Sequence, residues 1–124
     1  MIEEIQNRKH IELVDELFSE DFLNHTPPPG IASDRSGMRA LFSMMHVAFP
    51  DGVLVLDDQV SSADKVWTRK SFCGTHTGPL RTIAATGNKL RYTLVDILTV
   101  RAGKIVEHWS VFDQRSFLQQ LGVA

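Results

Sequence analysis

Acid/base side chains are concentrated in a short stretch near the end of the chain, between Arg91 and Asp113. Asp96, His108 and Asp113 stand there among β-branched and apolar residues. A carboxyl group in apolar surroundings holds its proton more tightly, which makes it a better base and a usable acid near neutral pH. We therefore take Asp96 and Asp113 as candidate catalytic groups. His25 and His108 are candidate hydrogen-bond donors to an oxyanion.

The same stretch predicts a β-hairpin, with two strand-like runs around a short turn that contains glycine. If Val100 pairs with Ile105, then Asp96 pairs with Trp109 further along the two strands. Side chains alternate between the faces of a strand, so Asp96 and Trp109 share one face and His108 lies on the other. Asp96 and His108 then line one cavity only if a strand is bulged. This register ranks His108 below Asp96 as a pocket residue.

Structural roles compete with these chemical ones. Asp113 directly precedes a predicted helix, where an aspartate is a favoured N-cap. Asp96 has an alternative role in a bond to a neighbouring strand or to Arg69, and His108 has one as a hydrogen-bonded interface residue. Perturbed ionisable groups mark functional sites only on average, so the sequence leaves both sets of roles open.

Apolar and aromatic side chains supply candidate contacts for a ligand. A predicted helix over residues 33–49 is rich in methionine and phenylalanine, which suits an adaptable apolar wall, although ordinary core packing is the alternative for each residue. The candidate substrate-binding residues are Trp109, Trp67, Phe49, Met45, Phe42 and Arg69.

Hydrophobic periodicity predicts helices first and strands afterwards. Helical patterns cover residues 2–7, 9–17 and 33–49, a capped helical turn covers 19–22, and a short closing helix covers 114–121. Strand patterns cover residues 53–60, 65–73, 89–100 and 105–113. This order is typical of an α+β fold with helices on one face of a curved, mostly antiparallel sheet. Both faces of the predicted hairpin are largely apolar, so we expect helices over a cavity to cover one face and a second copy of the chain to cover the other.

Composition excludes several classes of protein. The 124 residues fit a single domain, residues 1–124. The formal net charge is −2 and no basic block is present, which argues against a nucleic-acid partner. No apolar run is long enough for a membrane span, and the expected compartment is the cytoplasm. The single cysteine excludes an internal disulfide, and no histidine or carboxylate spacing predicts a metal site.

Six short motifs run through the chain in order: FLNH at 22–25, AFPD at 48–51, GTHTG at 74–78, ATG at 85–87, GKIVEHW at 103–109 and QLG at 120–122. Together with Asp113 they resemble the SnoaL-like polyketide cyclase (ester cyclase) family, within the nuclear-transport-factor-two-like superfamily. The chain departs from the family in a short first helix and in Pro79-Leu80-Arg81, which replaces an aromatic-containing turn at the pocket lip.

The resemblance implies a cone-shaped α+β barrel with an internal pocket, and homodimers that pair through their sheets. It also implies aldol-type ring closure with an aspartate as acid/base, without metal or organic cofactor. The family's histidine-tryptophan motif falls on His108 and Trp109, its terminal aspartate on Asp113 and its early histidine on His25.

Two functional hypotheses follow. The first is a cofactor-independent lyase or isomerase that acts on a small, largely apolar carbonyl compound. The second is a non-catalytic module of the same fold that binds a small hydrophobic ligand or serves in dimerisation.

Overall fold

The computed structural model describes residues 7–122. A 3-10 turn at Ile11–Leu13 leads into helix α1, and helices and strands then follow along the chain. Their bounds are α1 Val14–Leu17, β1 Phe18–Asn24, α2 Arg35–Ala48, β2 Val53–Ser62, β3 Lys65–Thr75, β4 Lys89–Arg101, β5 Lys104–Phe112 and α3 Gln114–Leu121.

The five strands form one sheet in the order β1-β5-β4-β3-β2. The strand β1 runs parallel to β5, and the other neighbours are antiparallel. The predicted α+β class with a mostly antiparallel sheet is therefore confirmed. The sheet is open, with β1 and β2 at its edges, and so it is not closed into a barrel.

Two aspartates begin the two longer helices. Asp34 accepts a hydrogen bond from the backbone N–H of Gly37 at 3.0 Å at the start of α2. Asp113 accepts one from the N–H of Ser116 at 3.0 Å at the start of α3. Each bond satisfies a backbone donor that has no partner within its helix. The helix α3 has the bounds that the sequence predicted.

The beginning of the chain differs from the prediction. Residues 2–6 of the first predicted helix lie outside the described residues. The helix predicted over 9–17 is reduced to the 3-10 turn and the four residues of α1. The capped helical turn predicted over 19–22 is wrong, because these residues belong to β1. Phe18 and Phe22 are both buried although they are four residues apart, which imitates a helical stripe. A register irregularity in the pairing of β1 with β5 accommodates that spacing.

The hairpin of β4 and β5 has the predicted turn but not the predicted register. Ala102 and Gly103 have φ of 50° and 76°, as in the two-residue turn that matches the twist of a hairpin. Val100 pairs with Ile105 as predicted. Beyond that pair the register shifts, since Val106 is one residue extra on β5, and the extra residue exchanges the two faces of β5.

As a result Leu98 pairs with His108 and Ile97 with Trp109. Asp96 and His108 share one face of the sheet, and Trp109 lies on the opposite face. The prediction that placed Trp109 beside Asp96, and His108 away from it, is wrong for this reason.

The face that carries Asp96, here called the inner face, packs against the helices. One buried cluster joins α1, β1, α2 and β5, and a second joins the end of α2 with β3, β4 and α3. The phenyl rings of Phe18 and Phe22 meet edge to face at 4.8 Å in the first cluster. No helix within residues 7–122 is long and apolar enough to cross a membrane.

Candidate active site

A cavity of about 360 Å³ lies between the inner face and helices α2 and α3. Loops at Pro28–Pro29 and at residues 80–83 form further parts of its lining. The wall is mainly apolar and includes Met38, Leu41, Phe42, Met45, Phe49, Leu94 and Phe117. Such a cavity suits a small molecule that is largely apolar.

Two ionisable side chains, Asp96 and His108, lie next to each other on this wall. Asp96 is 3% exposed and His108 is 5% exposed. The bulge in β5 positions His108 beside Asp96, and their atoms Nε2 and Oδ1 are 3.2 Å apart. The inner face thus brings a carboxyl and an imidazole together on a mainly apolar cavity wall.

Asn24, at the end of β1, fixes the orientation of the His108 ring. The backbone N–H of Thr26 donates to Asn24 Oδ1 at 3.1 Å, which identifies that atom as the amide oxygen. His108 Nδ1 lies 3.0 Å from the same oxygen. Because a carbonyl oxygen only accepts hydrogen bonds, Nδ1 must carry a proton. The Nε2 atom is therefore the ring nitrogen that faces Asp96.

A fully buried lysine completes the cluster. Lys70 of β3 forms an ion pair with Asp96 Oδ2, while Asp96 Oδ1 faces His108. Each carboxylate oxygen has two lone pairs, so the Asp96 carboxylate retains acceptor capacity toward the cavity.

The electrostatics of Asp96 differ from the prediction. Burial raises the pKa of Asp96, but the hydrogen bond with His108 and the positive charge of Lys70 outweigh burial and lower that pKa to about 2. The expected increase toward neutrality is therefore wrong. Asp96 is a carboxylate throughout the physiological pH range.

Tyr92 brings a hydroxyl-bearing side chain to the cavity lining. Its ring packs against Phe72 at 5.1 Å and edge to face against Phe117 at 5.3 Å. Burial and the charge of Asp96 raise the pKa of Tyr92, so its hydroxyl keeps its proton. The side chain is a neutral hydrogen-bonding group on the same strand as Asp96.

Five of the predicted site residues line the cavity: Asp96, His108, Phe42, Met45 and Phe49. The other five do not. Trp67, Arg69 and Trp109 lie on the outer face of the sheet, since their neighbours in sequence point inward.

His25 lies outside the cavity, stacked on Trp109. The two rings are 4.3 Å apart and nearly parallel, and His25 Nε2 lies 2.9 Å from Glu107 Oε2. Asp113 is exposed and acts as the N-cap of α3, the structural role that the sequence had left open.

Two members of the cluster were not predicted as site residues. Asn24 is part of the FLNH motif, which was the only signal for it. Lys70 stands in the sequence WTRKSF, where nothing separates it from an ordinary exposed strand lysine. Its partner Asp96 lies on the neighbouring strand β4, so only the strand pairing brings them together.

No group of three or more histidine, cysteine, aspartate or glutamate side chains converges as a metal-binding set within residues 7–122. The expectation of chemistry without metal or organic cofactor stays a prediction.

This architecture, a five-stranded mixed sheet and helices around a mainly apolar cavity, is that of a small-molecule-binding cone fold. The model of the SnoaL-like polyketide cyclase family matches residues 1–121, and the chain belongs to that family. The resemblance predicted from the motifs is thereby confirmed. Among curated proteins no sequence matches the chain.

Solved structures agree with this assignment. IdmH of Streptomyces antibioticus, a proposed polyketide cyclase, is 34% identical with a TM-score of 0.80 over 97% of this chain and 92% of that one. TsrD of Streptomyces laurentii is 28% identical with a TM-score of 0.85 over 97% and 88% of the two chains. AclR of Streptomyces galilaeus, a proposed hydroxylase, is 28% identical with a TM-score of 0.83 over 98% and 79%.

Proposed function

We propose that this protein is a cofactor-independent enzyme of the cyclase type, which acts on a small, largely apolar carbonyl compound by general acid/base catalysis. The observation that carries the proposal is the Asp96 and His108 pair on the wall of the apolar cavity. The family and the proposed cyclase among its structural neighbours support the same class of reaction.

The first step is removal of a proton from a carbon next to a carbonyl group. The ionised Asp96 carboxylate accepts that proton through a lone pair that faces the cavity, and an enolate forms on the substrate. A carboxylate with so low a pKa is a weak base, so the enolate itself must be stabilised. With His108 protonated, the cluster of Lys70, Asp96 and His108 has one more positive than negative charge, which favours an anion at this wall.

The second step forms the new bond. The enolate carbon attacks a second carbonyl carbon of the same molecule, and the oxygen of that carbonyl becomes an alkoxide. The proton held by Asp96 then passes to the alkoxide, which restores the carboxylate. The apolar wall excludes water from the enolate and folds the substrate chain into the reactive geometry.

Deuterium exchange tests the first step without knowledge of the natural substrate. Aryl methyl ketones in deuterated buffer are incubated with the protein, and loss of the methyl proton signal is followed by NMR. We expect saturable exchange that is faster than in buffer with equal concentrations of acetate and imidazole. Exchange no faster than in that buffer, for every ketone shown by NMR to bind, would instead indicate a binding module without catalysis.

The same assay separates the two candidate aspartates. Asp113→Ala removes the N-cap of α3 and is expected to lower the free energy of unfolding by about 1 kcal/mol, measured by urea denaturation. Its exchange rate should equal that of the wild type, because Asp113 lies outside the cavity. The variant Asp113→Ser retains a capping oxygen and should recover most of the stability. A large loss of exchange in Asp113→Ser would assign the chemistry to Asp113.

We also propose that two copies of the chain pair through the outer face of the sheet. Large apolar side chains are exposed there, with Val60 and Val111 62% exposed and Trp67 44% exposed. Exposed large apolar side chains on a sheet face are a common feature of interfaces between protein copies. The cytoplasmic location expected from the sequence stays a prediction.

The dimer is tested by sedimentation of charge variants. Trp67→Glu places a charge on the outer face and is expected to convert the dimer into monomers. Val47→Glu is the matched control, since Val47 is 55% exposed but lies on α2. A wild type that sediments as a monomer at high concentration, or a dimer unaffected by Trp67→Glu, contradicts this interface.

A further inference from the structure

Lys70 is the most deeply buried charged group in the described part of the chain. Its side chain is 0% exposed, it lies on the inner face of β3, and it is not among the residues that line the cavity. Burying an ammonium group is unfavourable because the group loses its hydration, and a buried ion pair is often no more stable than apolar side chains of the same size. The position of Lys70 beside Asp96 therefore suggests a role in the site rather than in stability.

The groups that face the pair come from three strands and one helix. Lys70 on β3 supplies a positive charge, Tyr92 on β4 a neutral hydroxyl, and Asn24 on β1 a neutral amide. His46 of α2 lies on the wall of the same cavity. Of these groups only Lys70 forms an ion pair with Asp96 besides His108.

The pair itself has two forms that keep the hydrogen bond between His108 Nε2 and Asp96 Oδ1. In the ion-pair form, the proton lies on Nε2 and Asp96 is a carboxylate. In the neutral form, the proton lies on Oδ1 and His108 carries only its Nδ1 proton. Burial alone favours the neutral form, because it penalises both charges, whereas a cation at Oδ2 favours the carboxylate.

We propose that Lys70 is a positioning residue that holds the Asp96 and His108 pair in its ion-pair form. The inference rests on the proposed function of this pair as the acid/base site. Lys70 does not line the cavity and acts through Asp96 Oδ2. It makes Asp96 available as a base at every physiological pH, and it leaves the proton of His108 Nε2 in place to stabilise an anion.

The position of the proton is observable by NMR on the whole protein labelled with ¹⁵N-histidine and ¹³C-aspartate. In the wild type, both ring nitrogens of His108 should resonate in the protonated range at pH 7. In Lys70→Met, Nε2 of His108 should move to the unprotonated range, and the Asp96 carboxyl should titrate above its ordinary value of about 3.9.

Three further variants make the test specific. Lys70→Arg keeps the charge and should retain the wild-type signals. Lys65→Met removes a lysine of the same strand that contacts Trp109 on the outer face, and it should also leave both signals unchanged. Lys70→Gln removes the charge but keeps a polar side chain, so it replaces Lys70→Met if that variant does not fold.

An unprotonated His108 Nε2 in the wild type overturns the inference, as does an unchanged pair in Lys70→Met or Lys70→Gln. These readouts need no substrate and no turnover. The two proposals can therefore fail separately. If the His108 and Asp96 signals shift in Lys70→Met but the wild type exchanges no ketone protons, the role of Lys70 stands and only the proposed function is refuted.

Discussion

Replacing Asp96 by asparagine is expected to lower the rate of ketone proton exchange by about 10²- to 10⁴-fold. The amide has nearly the shape of the carboxylate, but it cannot accept a proton from carbon. Ketone binding, measured by NMR titration, should change little because most of the cavity wall is apolar. If Asp96→Asn exchanges ketone protons at a rate within a few fold of the wild type, then Asp96 is not the catalytic base.

The same substitution is expected to destabilise the protein by about 3 kcal/mol, since it takes the counter-charge from the buried Lys70. The wild type should lose the stabilisation that the Asp96 carboxylate provides as the pH falls. The pKa of Asp96 is lowered from 3.8 to about 2, so the stabilisation is complete above pH 4 and is lost as the pH falls through about 2. Denaturant unfolding between pH 2 and 7 measures both effects.

The double variant Lys70→Met/Asp96→Asn separates chemistry from stability. Removing both charges should recover most of the stability lost in Asp96→Asn, because no uncompensated buried charge remains. Exchange activity should stay as low as in the single variant. Recovery of activity together with stability would show that Asp96→Asn had acted only by unfolding the protein.

A second large effect is expected at Gly78, where the loop after β3 meets the end of α2. The N–H of Gly78 donates to the carbonyl oxygen of Ala48 at 3.2 Å. A Cβ added at Gly78 would lie 1.9 Å from the carbonyl oxygen of Val47, which belongs to a helix backbone and cannot move away cheaply. We expect Gly78→Ala to lower the free energy of unfolding by about 2 to 3 kcal/mol.

Gly87→Ala is the control in the same loop. Gly87 has φ of +74° but no atom within 4 Å of an added Cβ. Alanine at this position should lower the free energy of unfolding by only about 1 kcal/mol, which is the cost of a left-handed backbone for a residue with a Cβ. If urea denaturation shows that Gly78→Ala and Gly87→Ala lose the same free energy of unfolding, the steric explanation is contradicted. The loop also carries Leu80 and Ile83 to the cavity, so Gly78→Ala should weaken ketone binding as well.

Local patterns predicted the second half of the fold well. The four strands from β2 to β5 and the helix α3 were foreseen from alternation, turn residues and the cap at Asp113. These elements depend mainly on neighbours in sequence, or on a hairpin partner a few residues away. The α2 helix was foreseen for the same reason, and the structure gives it Asp34 as N-cap.

Elements that depend on distant pairing were not foreseen. The residues SEDF have the composition of a helix start, yet they lie in β1 because its edge pairs with β5 more than 80 residues later. The single extra residue Val106 has no signature in the sequence, and it reversed the predicted faces of β5. The predicted register had placed Trp109 beside Asp96 and His108 on the opposite face, whereas the real register does the reverse.

The chemistry of the site was foreseen in part. Asp96 and His108 were named from residue type and motif. The sign of the pKa shift of Asp96 was wrong because it depends on the hydrogen bond with His108 and on the charge of Lys70, which both lie on other strands. A sequence shows which groups can ionise, but strand pairing decides which charge lies beside them.

The pH titration of the Asp96 carboxyl carbon in the wild-type protein tests the central claim most directly. His108 and Lys70 keep the Asp96 carboxylate ionised in a mainly apolar wall, so we expect a midpoint near 2, well below the ordinary value of about 3.9. A midpoint at or above 4 would show that Lys70 and His108 do not stabilise the Asp96 carboxylate, and would contradict the proposed resting state of the site.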